Sequence, residues 1–225
     1  MEGKALRLAL ASAYAGNSAT LGARLRSFSS IENAFAERAR WWPDETSERQ
    51  QQLALRCAEK HPWLAAPTSR DWHLLALGDD AYPPLLAQLP DAPGVIFIKG
   101  SLGALKQPQL AMVGARAASA EGRENAKRLA GSLARCGFVV TSGLATGIDA
   151  AAHEGTLGIG QSIAVMGTGP DSIYPARHAT LAERLVAEGG ALVTEFPPGE
   201  KPEPFHFPMR NRIISGMALG VIVVE

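Results

Sequence analysis

Apolar residues in the first quarter of the chain recur at three- and four-residue intervals. Leu6, Leu8 and Leu10 are followed by Leu21, Leu25 and Phe28, by Ile31, Ala34 and Phe35, and then by Leu53, Leu55 and Cys57, with no β-branched clusters among them. This spacing predicts a small all-helical domain with short loops over residues 1–68. Pro43 and Asp44 break the pattern after Trp41 and Trp42, and His61-Pro62 with Pro67-Thr68 marks its end. From residue 69 the texture changes to short apolar runs separated by glycine turns and amphipathic stretches. Strands are predicted at 95–98, 110–113, 138–141, 163–166, 191–194 and 221–224. Most read as continuous apolar runs rather than alternating ones, as strands buried on both faces of a parallel sheet do. Helices are predicted near 120–136, 148–157 and 178–188. Strand-helix alternation of this kind means right-handed crossovers and an α/β, Rossmann-like, doubly wound and mostly parallel sheet. The last run, Val221 to Val224 before Glu225, is a strand with no helix after it, which predicts a sheet domain over 69–225 that is C-terminally incomplete.

Charge changes the picture little. The 22 Lys and Arg residues balance 22 Asp and Glu, so the chain lacks the basic excess that announces many nucleic-acid binders. A short run of phosphate contacts needs only local donors. Hydrophobic residues make up 46% and charged residues 20%, the balance of a globular protein. Cys57 and Cys136 belong to no metal or redox pair and are expected to be buried thiols. No signal-peptide pattern or membrane-length apolar run is present, so a cytoplasmic location with no membrane partner is expected.

Candidate chemistry sits at the ends of the predicted strands. Gly114, Ala115 and Arg116 follow the second strand, where backbone N–H groups and a guanidinium fork suit an anion. Thr141-Ser142-Gly143-Leu144-Ala145-Thr146-Gly147-Ile148-Asp149 follows the third; here backbone amides, Ser142, Gly143, Thr146 and Gly147 would cradle a phosphate, with Asp149 capping local backbone. Gly167-Thr168-Gly169-Pro170-Asp171, then Tyr174-Pro175 and Arg177, follow the fourth. Three glycine turns at strand carboxyl ends, with Gly114, Gly167 and Gly169 among them, define the ligand crevice of an open α/β sheet. A P-loop lysine is lacking, as is a clean dinucleotide fingerprint with its distant acid. Phe205-His206-Phe207-Pro208-Met209-Arg210-Asn211-Arg212 mixes aromatics with arginines, a combination that stacks bases and grips phosphates on single strands. The same residues also fit a second arrangement, with the phenylalanines in the core and Arg210 and Arg212 paired to Glu195 or Asp149. No histidine-cysteine, Ser-His-Asp or metal-ligand spacing supports catalysis, so neither an enzyme, a cofactor nor a metal site is expected.

In order, Val113-Gly114-Ala115-Arg116, the Thr141 to Asp149 loop with Ala151-Ala152-His153, Gly167 to Asp171 with Tyr174-Pro175, Thr194-Glu195-Phe196-Pro197-Pro198-Gly199, and Phe205 to Ile214 resemble the signature of the DNA-processing protein A (DprA/Smf) family. The resemblance covers roughly 80–225 and includes Tyr82-Pro83 and the stretch from Pro93 to Gly100. It implies an extended Rossmann-like fold that binds single-stranded DNA, protects incoming DNA in natural transformation, helps load RecA and forms homodimers. By motif position it implies Gly114, Arg116, Ser142, Gly143, Phe207, Arg210 and Arg212 as DNA contacts. Residues 1–68 occupy the place of the family's SAM-like or helix-hairpin-helix region, but Ala15-Gly16-Asn17-Ser18 departs from its glycine hairpin. The rival reading is a nucleotide enzyme resembling lysine decarboxylase-like phosphoribohydrolases, with Glu195 acting on a nucleoside monophosphate; Gly-Thr-Gly-Pro-Asp stands where that family has its Pro-Gly-Gly-x-Gly-Thr-x-x-Glu loop. A third is a structural or partner-binding fragment.

Overall fold

The chain is described over residues 3–15, 17–37 and 61–225 in a computed structural model. The periodicity at Leu53, Leu55 and Cys57, the break at Trp41 to Asp44, and Gly16 of the hairpin lie outside the described residues. Three short helices come first: α1 (Gly3–Ala13), α2 (Ser18–Leu25) and α3 (Ile31–Ala36), the last capped by the Ser30 hydroxyl, which accepts from the Asn33 amide. A single turn, α4 (Pro62–Ala65), leads to the sheet. There follow β1 (Trp72–Ala76), β2 (Val95–Gly100), β3 (Gln109–Gly114), α5 (Ala120–Arg135), β4 (Val139–Ser142), α6 (Ile148–Thr156), β5 (Ser162–Val165), α7 (Ala179–Ala187), β6 (Ala191–Thr194), α8 (His206–Met217) and β7 (Val221–Val224).

The seven strands form one sheet in the order β1-β2-β6-β5-β4-β3-β7. The five strands from β6 to β7 run parallel, whereas β2 is antiparallel to both β6 and β1. This is the doubly wound Rossmann-like architecture the alternation predicts, and all six predicted strands are in it. β1 is the addition. Its signal was a short run, Trp72 to Leu77, closed by the Gly78-Asp79 turn, and the boundary prolines just before it masked it as linker.

Alternation along the strands separates the two faces. Met112 and Val140 pack under Ile148, Ala151 and Ala152 of α6 and Ala126 and Ala130 of α5. Their sequence neighbours Ala111 and Val139 belong to a second cluster, which includes Ile213, Ile214 and Met217 of α8. The same cluster takes in Leu6, Leu8 and Leu10 of α1, Leu21 and Leu25 of α2, and Phe97 of β2, so the helical segment and the antiparallel edge of the sheet bury one continuous apolar surface. Arg7 fixes α1 to the β1 turn, its Nη2 donating to Asp79 Oδ1 at 2.9 Å while the Asp79 carboxylate also accepts from the Ala76 amide at 2.8 Å. The Gly94 amide donates to the Ser18 carbonyl at 3.0 Å, seating α2 on the loop before β2.

Cys136 corrects an expectation. It is exposed, because it caps the carboxyl end of α5 beyond the buried stripe of Ala126, Ala130 and Ala134. Among the described residues no helix is long and apolar enough to cross a membrane.

The shared apolar cluster sets a first prediction. Leu8→Ala, at a position with no exposed surface, is expected to lower unfolding free energy by about 2–5 kcal/mol. Urea unfolding followed by far-UV circular dichroism and tryptophan fluorescence should show one common shifted midpoint; a shift in only one of the two probes would contradict the shared core.

Candidate functional site

The crossovers place β4 on one side of β3 and β7 on the other, so the carboxyl end of β3 is the switch point where open α/β sheets bind ligands. Two adjoining clefts of about 400 and 470 Å³ open there, sharing Arg116, Ala145 and Arg210. The first also has Val113, Gly114, Asp149, Asn211, Arg212 and Ser215 in its wall; the second has Gly143, Thr146, Tyr174, Pro175, Arg177 and Phe207.

The loops are braced against one another. Thr146 Oγ1 donates to the Arg116 carbonyl at 3.2 Å and the Ile148 amide to the Ala115 carbonyl, also at 3.2 Å, so the turn after β4 leans on the turn after β3. Gly147 makes this contact possible. Its φ is +80°, a left-handed conformation, and a Cβ there would strike the Ala115 carbonyl. Leu144 takes the same left-handed region at φ +60° with its side chain fully buried, and its carbonyl lies 2.8 Å from His178 Nδ1. A leucine held there marks a loop whose shape is fixed by its surroundings.

Arg210 ties the third element in. Only 3% exposed, its Nη1 donates to the carbonyls of Gly143 and, at 2.6 Å, Val165, while Nε donates to Asn211 Oδ1. The chain thereby hooks α8 onto the ends of β4 and β5. Gly143 leaves room for the guanidinium, which a Cβ would overlap. Asp149 completes the arrangement: its Oδ2 accepts from the Gly143 amide at 3.2 Å and the Ala145 amide at 3.3 Å. Burial pushes the Asp149 carboxyl up, against the pull of Arg210, the two amides and the Ser142 hydroxyl. Burial lowers Arg210 to about 10, with Asp149 opposing.

The Arg116 guanidinium lies 5.0 Å from the Phe207 ring centre and that of Arg210 5.9 Å from it. Tyr174 is 48% exposed and packs at 5.5 Å from Phe207 with planes at 42°. Arg116 and Arg177 are exposed and open to the second cleft. Gly114, Arg116, Gly143, Thr146, Phe207, Arg210 and Arg212 of the predicted set are thus brought together, along with Tyr174 and Arg177. The last two carried a visible signal, since they follow the third glycine turn at once.

Other predicted residues have different positions. Ser142 is fully buried and donates to the Met112 carbonyl at 2.6 Å, so its hydroxyl braces strands. Gly167 backs onto Phe207, and Gly169, whose amide donates to the Glu200 carbonyl at 3.0 Å, stands outside both clefts. Arg212 reaches the first cleft, yet its Nη2 donates to Glu195 Oε2 and its Nε is 3.7 Å from Asp91. Glu195, the carboxylate named in the nucleotide-enzyme reading, is 3% exposed, engaged with Arg212 and lines neither cleft. His206 is buried, stacked on Phe196 at 4.0 Å, and Phe205 is 57% exposed beside it. The segment is helical because Pro208 falls in the first turn of α8, where its missing N–H leaves no gap.

Residues 73–225 match the family model of DNA recombination-mediator protein A. The chain belongs to that family. Protein Smf of Escherichia coli is 48% identical over 164 residues, 72% of this chain and 43% of that protein. DNA processing protein A of Streptococcus pneumoniae superposes with a TM-score of 0.66 at 37% identity, covering 78% of this chain and 62% of that one. The Helicobacter pylori protein of the same name, whose structure concerns its single-stranded DNA binding mode, superposes with a TM-score of 0.59 at 26% identity over 68% of each chain. The chain spans 43% and 52% of the length of two curated relatives, the Escherichia coli and Streptococcus pneumoniae proteins. In this member of the recombination-mediator family the matched region holds every wall residue of both clefts.

On α6, His153 is fully buried, with Nδ1 2.7 Å from Ser162 Oγ, which itself donates to the Val140 carbonyl. Burial, then the nearby Arg210 and His178, push its pKa down to about 3. The folded state therefore binds fewer protons than the unfolded chain between about pH 3 and the ordinary histidine value near 6.5. Stability from this group is complete above about pH 6.5 and declines as pH falls, by about 1.4 kcal/mol per pH unit for one proton. Asp149 and Glu195, with raised values, act in the opposite sense. His153→Gln is expected to flatten the acid side of the stability-pH curve by one proton's slope relative to wild type, read from urea midpoints between pH 4 and pH 7; parallel curves would mean that His153 is not held neutral.

Proposed function

We propose that the paired clefts hold a single strand of DNA in a non-enzymatic complex, with no cofactor or metal. One observation carries the reading: exposed Arg116 and Arg177 stand around the Phe207 and Tyr174 rings at the mouth of the second cleft. Cations track a sugar-phosphate backbone while aromatic faces accept unstacked bases without regard to sequence. Gly114, Gly143 and Thr146 give the strand a small-residue floor at the sheet's switch point. The single-strand binding of the Helicobacter pylori relative supports the same ligand. In the longer proteins of the family the same surface would protect incoming strands in natural transformation and pass them to RecA, from a homodimer in the cytoplasm. Family membership supports those roles.

The test is fluorescence anisotropy with labelled oligo-dT, single-stranded and duplex, at several salt concentrations, with a nucleoside monophosphate as competitor. Salt-sensitive preference for the single strand is expected. Arg116→Ala should weaken binding and flatten the plot of log affinity against log salt by about 0.7, one phosphate's worth on a single strand. Phe207→Ala should cost about 1–3 kcal/mol, a stacked base, with the slope unchanged. Equal affinity for duplex, or displacement by the monophosphate, would overturn the reading.

A further inference from the structure

The peptide unit at Gly143 stands between an acid and a base. Its N–H donates to Asp149, and its carbonyl accepts from Arg210. Asp149 takes the Ala145 amide as well. These two amides belong to the strand-to-helix glycine turn, where a fold of this type ordinarily offers N–H groups to a phosphate. Here they are already held by a carboxylate of the chain itself. The acid is 6% exposed and Arg210 3% exposed, yet both stand in the wall of the 400 Å³ cleft. Arg210 has two further acceptors, the Val165 carbonyl and Asn211 Oδ1. The guanidinium is thus fixed by neutral acceptors and balanced through space by one buried negative charge.

We propose that Asp149 is a resident anion that limits how tightly the cleft grips DNA: it fills the backbone anion position of the glycine loop and balances the Arg210 charge. The inference rests on the reading of the clefts as a single-stranded DNA site. Under it, the phosphates are held by the exposed Arg116 and Arg177, and Arg210 serves to anchor α8. A buried guanidinium without a counter-charge would attract any arriving phosphate strongly, because the field of an unpaired buried charge is weakly screened. The carboxylate cancels that field, and it repels a phosphate that enters the first cleft, whose wall it shares. Asp149 is therefore a positioning residue for the loop and a setter of affinity.

The test uses the full chain and oligo-dT over a range of salt concentrations. Asp149→Asn keeps the shape and one oxygen acceptor while removing the charge. Tighter binding by about five- to tenfold at low salt is expected, with a salt plot steeper by about 0.7, the increment for one further phosphate on a single strand. A merely structural role would shift the melting temperature and leave that slope alone. Asp149→Ser is measured beside it, so that the result does not hang on how one side chain packs. Wild-type slope and equal or weaker binding in a folded variant overturn the proposal. Failure of both variants to fold overturns it too, since the carboxylate would then be a requirement of the fold and not a limit on affinity. Absence of oligo-dT binding by the wild-type chain instead removes the DNA reading, and this proposal with it.

Discussion

The site depends on one buried cation. Arg210 reaches from α8 through the sheet's upper edge and donates to carbonyls at the ends of β4 and β5. Those carbonyls terminate strands and would otherwise lack partners in a buried position, which is costly. Satisfying them with a side chain from a helix distant in sequence welds three elements at the end of the sheet where both clefts open. The constraint propagates outward. Gly143 leaves the space that the guanidinium fills, Asp149 stands beside it with its carboxylate on the Gly143 amide, and Leu144 and Gly147 take positive φ in the turn between them.

This arrangement also explains how a chain with no net charge presents a cationic cleft. The 22 acids and 22 bases are not evenly used. Glu195 is engaged by Arg212, Asp79 by Arg7, and Asp149 by two amides beside Arg210, all buried or half-buried. Arg116 and Arg177 remain exposed in the wall of the second cleft, and Arg116 lies over the Phe207 ring, which lowers the cost of desolvating its guanidinium. Local geometry, not total charge, decides what the surface offers to a phosphate.

The strand-helix alternation was plain from the sequence because parallel strands buried on both faces must be apolar without interruption, and their crossover helices must be amphipathic. The glycine turns were legible for a similar reason: close backbone approach excludes side chains. Two elements were not. β1 hides in a run of five residues beside boundary prolines, and α8 begins at His206 with a proline in its first turn, so its composition resembles a ligand-binding loop. Cys136 shows the same limit on a smaller scale, since two positions beyond a buried stripe the helix has turned its side chain to solvent.

Local pattern by itself determined the fold class, the family signature and the neighbourhood of the site, because period, turn chemistry and motif order are properties of adjacent residues. Which members of each motif face the cleft was decided only by tertiary structure. Ser142 and Thr146 look equivalent along the chain and both hydroxyls donate to a carbonyl, yet Ser142 is fully buried against β3 while Thr146 stands in the cleft wall. Arg116 and Arg210 carry the same charge, yet one is exposed and the other is buried by partners 45 and 67 residues away. Hydrogen-bond satisfaction inside a packed sheet is a long-range condition, and no local spacing encodes it.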